Sequence, residues 1–489
     1  MTDVVETVAD TTPEELDLLL GAAVAAAPML AAERPADRAV RLRAIADALD
    51  AAAEELIPLA AEESHLGVPR LTGELKRTTF QLRLFAGVLD EGAYLQVTID
   101  HADPDWGMGP RPDLRRMLRP IGPVAIWAAS NFPFAFSVAG GDTASALAAG
   151  APVLLKAHPG HPRLSVATAA IVTRAIADAG APAGAFALVT GVEIGRTLIT
   201  DPRIAAGAFT GSLAGGRALF DLASSRPVPI PFFGELGSVN PAVVTPSAAA
   251  QRAEEVATGF ADSMSLGVGQ FCTKPGLLFA PAGSDLPRLV ADRLSAVAAA
   301  PMLNEHIARG FAGALDELAG HDGVEVLTRG DTSETPTPTL LRTSAATFLA
   351  DPETLTHEAF GPAALVVEYT DRAELERALA AIDGQLTATV QTVDDDPDAA
   401  AVLPILAERA GRVLVNGWPT GVSVTWAMQH GGPYPATTSV QTTSVGTSAI
   451  DRFLRPVTYQ STPGSLLPEP LRDENPWHLP RRVDGVLEP

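Results

Sequence analysis

Residues 120–159 read PIGPVAIWAASNFPFAFSVAGGDTASALAAGAPVLLKAHP. A short apolar run, PVAIWAA, gives way to a polar turn. An alanine-rich helical stretch, DTASALAAG, follows and ends in glycine. A second apolar run, APVLLKAHP, comes next. Apolar runs this short, bounded by Gly and Pro, read as strands buried on both faces. A strand, a crossover helix and a strand make the unit of a parallel sheet. The unit recurs as the helix LSVATAAIVTRAIADAG (164–180), the strands AFALVTG (185–191) and IAAGAFTGS (204–212), and a further helix. A dinucleotide-binding domain is the leading interpretation of this half.

The pattern extends outward on both sides. Thr12-Pro13-Glu14-Glu15 is a helix start, with an N-cap hydroxyl, proline in the first turn and acids near the positive end of the dipole. Ala/Leu-rich helices are expected from there to about residue 95. A second α/β region spans roughly 236–435, with strands PAVVTP, GLLFAP, AALVVEYT, LTATVQTV and GRVLVNGWP and helices such as DLPRLVADRLSAVAAA. Residues 96–119 are polar and proline-bearing, and read as an extended arm or hairpin. Beyond about 440 the chain is again extended and rich in Thr, Ser and Pro, a tail expected to pack on a partner subunit. The expected division is 1–95 with 120–235, then 236–438, and 96–119 with 439–489.

Composition narrows the partners. The 489-residue chain has 35 basic and 58 acidic residues, a net charge of −23 that argues against nucleic acid or an anionic membrane. A single cysteine excludes internal disulfides and fits a reducing cytoplasm. The N-terminus, MTDVVETVADTTPEELDLLL, is acidic ahead of its first apolar run and does not read as a secretory signal. No apolar run of membrane length lacks Gly and Pro punctuation. These features predict a soluble, cytoplasmic protein.

Four separated pieces carry candidate chemistry. In SNFPF (130–134), Asn131 follows a buried strand, where α/β proteins place ligands, and its carboxamide can serve an oxyanion or simply make a turn. In LLKAHPGHP (154–162), Lys156 ends a strand and could bond a ribose or phosphate, or lie on the surface. His158 and His161 stand between prolines without a supporting ligand cluster, so no metal site is expected there. FTGSLAGGRALFDLA (209–223) sets Gly211, Ser212 and Gly216 at the start of a helix, a weak phosphate-binding signal. FFGELGSVNP (232–241) holds Glu235, whose burial would raise its pKa and suit it to general-base work. GVGQFCTKPG (267–276) holds Cys272 in a glycine-rich turn where backbone amides can favour a thiolate. Alone, a single cysteine reads equally as a small core residue. The acids Asp394-Asp395-Asp396 before Pro397 read as a solvated turn into a helix.

Taken in order, PIGPVAIWAASNFPF, VLLKAHP, FTGSLAGG, FGELGSVNP, GVGQFCTKPG, HEAFGP and GRVLVNGWPTG resemble the aldehyde dehydrogenase superfamily over nearly the whole chain. The resemblance implies a Rossmann-like cofactor domain, an α/β catalytic domain and an extended β oligomerisation arm. It implies Cys272 as nucleophile, Asn131 with the Cys272 amide as oxyanion donors, and Glu235 as the water-activating base. It also implies Lys156 and Glu358 on the cofactor ribose, Gly211, Ser212 and Gly216 at the diphosphate, Phe360 beside the nicotinamide, and a homodimer or homotetramer. The thiolate attacks an aldehyde, a hydride leaves for the nicotinamide, and water releases the acid.

Some departures from the common pattern are informative. Many NAD-preferring members have a glutamate three residues after the strand-end lysine, and Pro159 stands there instead. No carboxylate at that position repels a 2′-phosphate, and Arg196 could approach one, so NADP is the expected cofactor with NAD possible. The helical start and the tail RFLRPVTYQSTPGSLLPEPL resemble the NADP-type branch that includes α-ketoglutaric semialdehyde (2,5-dioxopentanoate) dehydrogenases, whose members also oxidise simple and fatty aldehydes. Phe132, Phe136 and Phe271 are candidate pocket walls, core packing being the other reading of the first two. The rivals are a CoA-acylating aldehyde dehydrogenase, which Glu235 argues against, and a thiol esterase, which leaves Lys156, Gly211 and Glu358 without purpose. A catalytically silent binding protein would need no Asn131, Glu235 and Cys272 set.

Overall fold

A computed structural model describes residues 8–488 of the chain. Thr12 caps the first helix through a reciprocal capping box with Glu15. Helices α1 (Pro13–Ala32), α2 (Pro35–Ala51), α3 (Ala53–Ser64) and α4 (Val68–Glu91) follow. The short strands β1 (Val97–Asp100) and β2 (Leu114–Pro120) come next and belong to a separate sheet. The expected βαβ series then forms: β3 (Val124–Trp127), α5 (Gly141–Ala149), β4 (Val153–Lys156), α6 (Pro162–Asp178), β5 (Phe186–Val189), α7 (Val192–Thr200), β6 (Ala206–Thr210), α8 (Leu213–Ser224) and β7 (Phe232–Glu235). The sheet order is β5-β4-β3-β6-β7, all parallel. Helix α7, in VEIGRTLIT, was not anticipated between its flanking strands; Gly191 with positive φ lets the chain turn into it.

This sheet is covered on both faces, as its near-continuous apolar strands require. Val124 and Ile126 of β3 join one core with α2, α4 and α5. The alternate Ala125 and Trp127 join another with Leu16, Leu20 and Ala23 of α1. By length and apolarity α1 could cross a membrane, yet here it lies on the sheet, and its Gly21 and Pro28 interrupt the apolar run.

The second region forms a seven-stranded sheet from β8 (Ala242–Val244), β9 (Leu277–Pro281), β10 (Glu325–Thr328), β11 (Thr339–Ser344), β12 (Ala363–Tyr369), β13 (Gln385–Gln391) and β14 (Ala410–Val415), in the order β10-β11-β12-β9-β8-β13-β14. Only β10 is antiparallel, at one edge. The expected helix over 285–300 stops at Leu294. The third sheet joins the arm to the tail, with β15 (Leu454–Gln460), β16 (Arg481–Val483) and β17 (Val486–Glu488) in the order β15-β2-β1-β16-β17.

The tail packs on its own chain. Ala449, Ile450, Phe453, Leu467, Leu471 and Leu479 are buried in the same core as α2 and α4, and β15 pairs with β2 along its whole length. Apolar side chains spaced through the Thr/Ser/Pro-rich segment supply this burial. Phe453 is fully buried. Phe453→Ala should therefore lower the unfolding free energy by about 3–5 kcal/mol. The check is chemical denaturation followed by tryptophan fluorescence. A change in association with unaltered folding stability would instead mean that the tail's burial belongs to a subunit contact.

Candidate active site

The three chemical groups arrive from different elements. Asn131 follows β3, Glu235 ends β7, and Cys272 lies on the turn after the helix Ala253–Ser265. Gly267, Val268 and Gly269 all have positive φ. For Val268 this left-handed conformation is strained, by about 1–3 kcal/mol. A Cβ on Gly269 would lie 2.3 Å from the Gly361 carbonyl, so glycine lets this turn lie against the 358–362 loop. Asn240, fully buried, holds the turn from the other side. Its Nδ2 donates to the carbonyls of Cys272 (2.8 Å) and Lys274 (3.0 Å).

Cys272 Sγ lies 3.6 Å from His430 Nε2, and His430 Nε2 lies 2.9 Å from Glu235 Oε1. Ser444 Oγ donates to the other carboxylate oxygen of Glu235. An ionised carboxylate only accepts, so the imidazole Nε2–H is the donor to Glu235. Asn131 Nδ2 donates to the Gln270 carbonyl at 3.1 Å, which leaves its second N–H for another acceptor beside Cys272. The structure thus brings the three sequence-selected groups together and adds His430 and Ser444. The spacing of the chain gave no signal for either, and Ser444 lies in what was expected to be tail. The segment 436–438 also extends the cofactor sheet: Leu236 N–H bonds the Ala436 carbonyl and Thr438 N–H that of Gly234. The site therefore draws on His430 and Ser444 from either side of position 438.

The electrostatics correct two expectations. Burial would raise Glu235, but His430, Ser444 and the Cys272 thiol all stabilise its carboxylate, and the balance falls below the ordinary value. Cys272 moves the other way. Burial, then the carboxylates of Glu235 and Glu358, hold the thiol well above its usual range, so the resting group is a thiol rather than a thiolate. Donor atoms of Glu235, Cys272 and His430 lie within 4.8 Å of one another, close enough to share one metal ion. The expectation of no metal site weighed the His158/His161 pair and the Asp394–Asp396 run, not this cluster. That pair is otherwise engaged: His161 bonds Ser165 and the Ala129 carbonyl, and His158 accepts from the Gly160 amide.

The cofactor candidates cluster at the carboxyl ends of β4 and β6. Lys156 is buried at the end of β4, and burial lowers its pKa. A Cβ on Gly195 of α7 would come within 3.4 Å of the Lys156 side chain, which places the exposed Arg196 on the next residue. Gly211 and Ser212 are exposed at the start of α8, where Ser212 Oγ accepts from the Gly215 amide. Gly216 is different. It is buried, and a Cβ there would lie 2.0 Å from Leu236, so glycine serves helix–strand packing. Glu358 closes the opposite side: a Cβ on Gly237 would lie 2.7 Å from its Oε2. Burial raises its pKa against the pull of Lys274, whose Nζ donates to the Ala359 and Ala363 carbonyls flanking half-buried Phe360. An open helix N-terminus, a strand-end lysine and a facing carboxylate fit a dinucleotide.

The aldehyde dehydrogenase family model matches residues 1–456. The chain belongs to this family. It is 48% identical over 462 residues to alpha-ketoglutaric semialdehyde dehydrogenase 2 of Azospirillum brasilense, covering 93% of this chain and 88% of that protein. It is 44% identical over 457 residues to alpha-ketoglutaric semialdehyde dehydrogenase of Acinetobacter baylyi, covering 92% and 87%. Among solved structures, the NADP-dependent glyceraldehyde-3-phosphate dehydrogenase of Bacillus halodurans superposes with a TM-score of 0.78 at 21% identity, over 93% of each chain. The protein is an oxidoreductase acting on aldehydes, and its family uses NAD or NADP.

The raised thiol predicts a pH profile. Because the Glu235 carboxylate disfavours the thiolate, Glu235→Gln should shift iodoacetamide alkylation of Cys272 to lower pH. Wild-type alkylation should still be climbing where an ordinary thiol has levelled off. The alkylation rate constant against pH, read by mass spectrometry, checks both.

Proposed function

We propose that this enzyme oxidises α-ketoglutaric semialdehyde to the corresponding acid without CoA, using NADP in preference to NAD. The observation that carries the reaction class is the Glu235–His430–Cys272 cluster beside Asn131. The substrate rests on the two relatives of that name, which align over most of both chains.

A bound nicotinamide supplies the two-electron acceptor. The chain's own groups do the rest. Cys272 attacks the aldehyde carbon as its proton passes to Glu235, since the resting thiol is protonated and has a carboxylate beside it. The free N–H of Asn131 and the Cys272 amide meet the developing oxyanion. Through its Nε2–H, His430 keeps Glu235 oriented and ionised beside the sulfur. After oxidation to the thioester, Glu235 gives the thiol's proton up to solvent and, as a carboxylate again, takes one from the attacking water, and the acid departs as the carbon–sulfur bond breaks. That role for Glu235 favours hydrolysis over transfer to CoA.

Lys156 and Glu358 would hold the ribose hydroxyls, the α8 N-terminus at Gly211 and Ser212 the diphosphate, and Phe360 the nicotinamide face. Arg196, beside Gly195 on Lys156, is suited to a 2′-phosphate, and Pro159 puts no carboxylate against it. The third sheet ends in strands β15 and β17 with one free edge each, which supports a homodimer or homotetramer through the arm. We read the protein as cytoplasmic.

Purified enzyme should reduce NADP with α-ketoglutaric semialdehyde in the absence of CoA, and Cys272→Ala should not. Asn131→Ala should lose about 10²–10³-fold in kcat. Arg196→Ala should lower kcat/KM for NADP and leave that for NAD unchanged. An NAD-over-NADP ratio of kcat/KM well above one in the wild type would reject the cofactor reading. Activity confined to simple aliphatic aldehydes would keep the mechanism and reject the substrate. His430→Leu should lower kcat about 10²-fold and move the acidic limb of its pH profile upward, because Glu235 loses a partner that favours its ionised form.

A further inference from the structure

Helix α4 lies along the SNFPFAF segment and presents Arg70, Glu74 and Arg77 at spacings that share one face. Glu74 is buried, and its Oε1 accepts the amides of Phe134 (2.8 Å) and Ala135 (3.0 Å). Arg70 is committed. Its guanidinium lies between the rings of Phe132 and Phe271, 4.5 and 4.7 Å from their centroids, and donates to the Asn131 carbonyl at 3.0 Å. Arg412, another cation whose charge reaches Cys272, gives both terminal nitrogens to the carbonyls of Gly421 and Pro419.

Arg77 is not committed. Its Nη1 is buried without a hydrogen-bond partner among the described residues. The guanidinium sits 5.3 Å from the centre of the Phe136 ring, and that ring lies 6.4 Å from the His430 ring. Phe136 and Phe132 pack edge to face at 5.3 Å and are each partly open. Arg77 thus stands beside the aromatic pair; burial pulls its pKa below the ordinary value, against the carboxyl groups of Glu74 and Glu235 and the sulfur of Cys272, which favour its charge. A buried guanidinium nitrogen without an acceptor is unfavourable, and a ligand carboxylate would supply one. The face carries two guanidiniums to one carboxylate, a surplus of one positive charge.

We infer that Arg77 binds the carboxylate at the far end of a short ω-aldehyde acid and so selects charged semialdehydes over neutral aldehydes. The inference rests on the substrate reading above. A carboxylate seated between Arg77 and the Phe136 edge would take the free guanidinium donors and leave the aldehyde at Cys272. Arg77 would be a specificity residue with no part in the bond-making steps.

The test compares kcat and KM for α-ketoglutaric semialdehyde and for pentanal, in the wild type, Arg77→Met and Arg77→Lys. Arg77→Met should lose about 10- to 100-fold in kcat/KM on the charged substrate, mostly through KM, and hold or improve on pentanal. Arg77→Lys should recover part of the loss, which also separates a charge effect from a folding defect. Equal losses on both substrates, in variants whose melting temperature matches the wild type, would overturn the inference. So would a charged-substrate preference that survives Arg77→Met, with the substrate reading left intact. A wild type that treats the two substrates alike would overturn the substrate reading and the anchor with it.

Discussion

The Glu235 carboxylate ties the molecule's parts together. Its backbone ends the last strand of the cofactor sheet, opposite Thr210, and bridges to Thr437 on the other side. Its side chain holds His430 and Ser444, both carried by the segment that returns from the second sheet. One residue therefore sets the seam between cofactor sheet, catalytic turn and tail. Without it, the buried His430 would lose its charged acceptor and the returning segment its anchor on β7.

This arrangement has an electrostatic consequence. The groups that keep Glu235 ionised in a dry site leave a negative charge beside Cys272 and hold the thiol protonated. Nucleophile and base are poised against each other, so the proton moves only as the carbon–sulfur bond forms. A free thiolate would be exposed to oxidation and alkylation between turnovers; a thiol with a nearby acceptor is less reactive at rest.

Backbone geometry supports the same site. Gly269 permits contact with the Glu358 loop, Gly237 permits Glu358 to approach, and Gly195 permits α7 to close on Lys156. In each case the missing side chain brings a loop within reach of a charged group. Val268, held at positive φ one turn before the nucleophile, shows strain kept where the turn must present Cys272.

The sequence by itself determined the alternation of strand and helix, the two parallel sheets and the capped first helix, and picked out Cys272, Glu235, Asn131 and Lys156 as candidates. Each rests on a local pattern: a short apolar run, a glycine at a helix end, a polar residue where a strand stops. Only the tertiary structure decided the rest. His430 and Ser444 act from far along the chain, and no spacing marks them. The direction of the Glu235 shift was misjudged because burial is legible in an apolar neighbourhood, whereas the partner that overrides it lies 195 residues away. The tail's burial was hidden for the same reason: its polar composition masks a few apolar side chains whose burial depends on which surface the fold leaves open. The close approach of Leu236 to Gly216 is likewise seen only once the strand and helix are assembled. Local propensity writes the elements, while charge balance and packing are properties of the assembled whole.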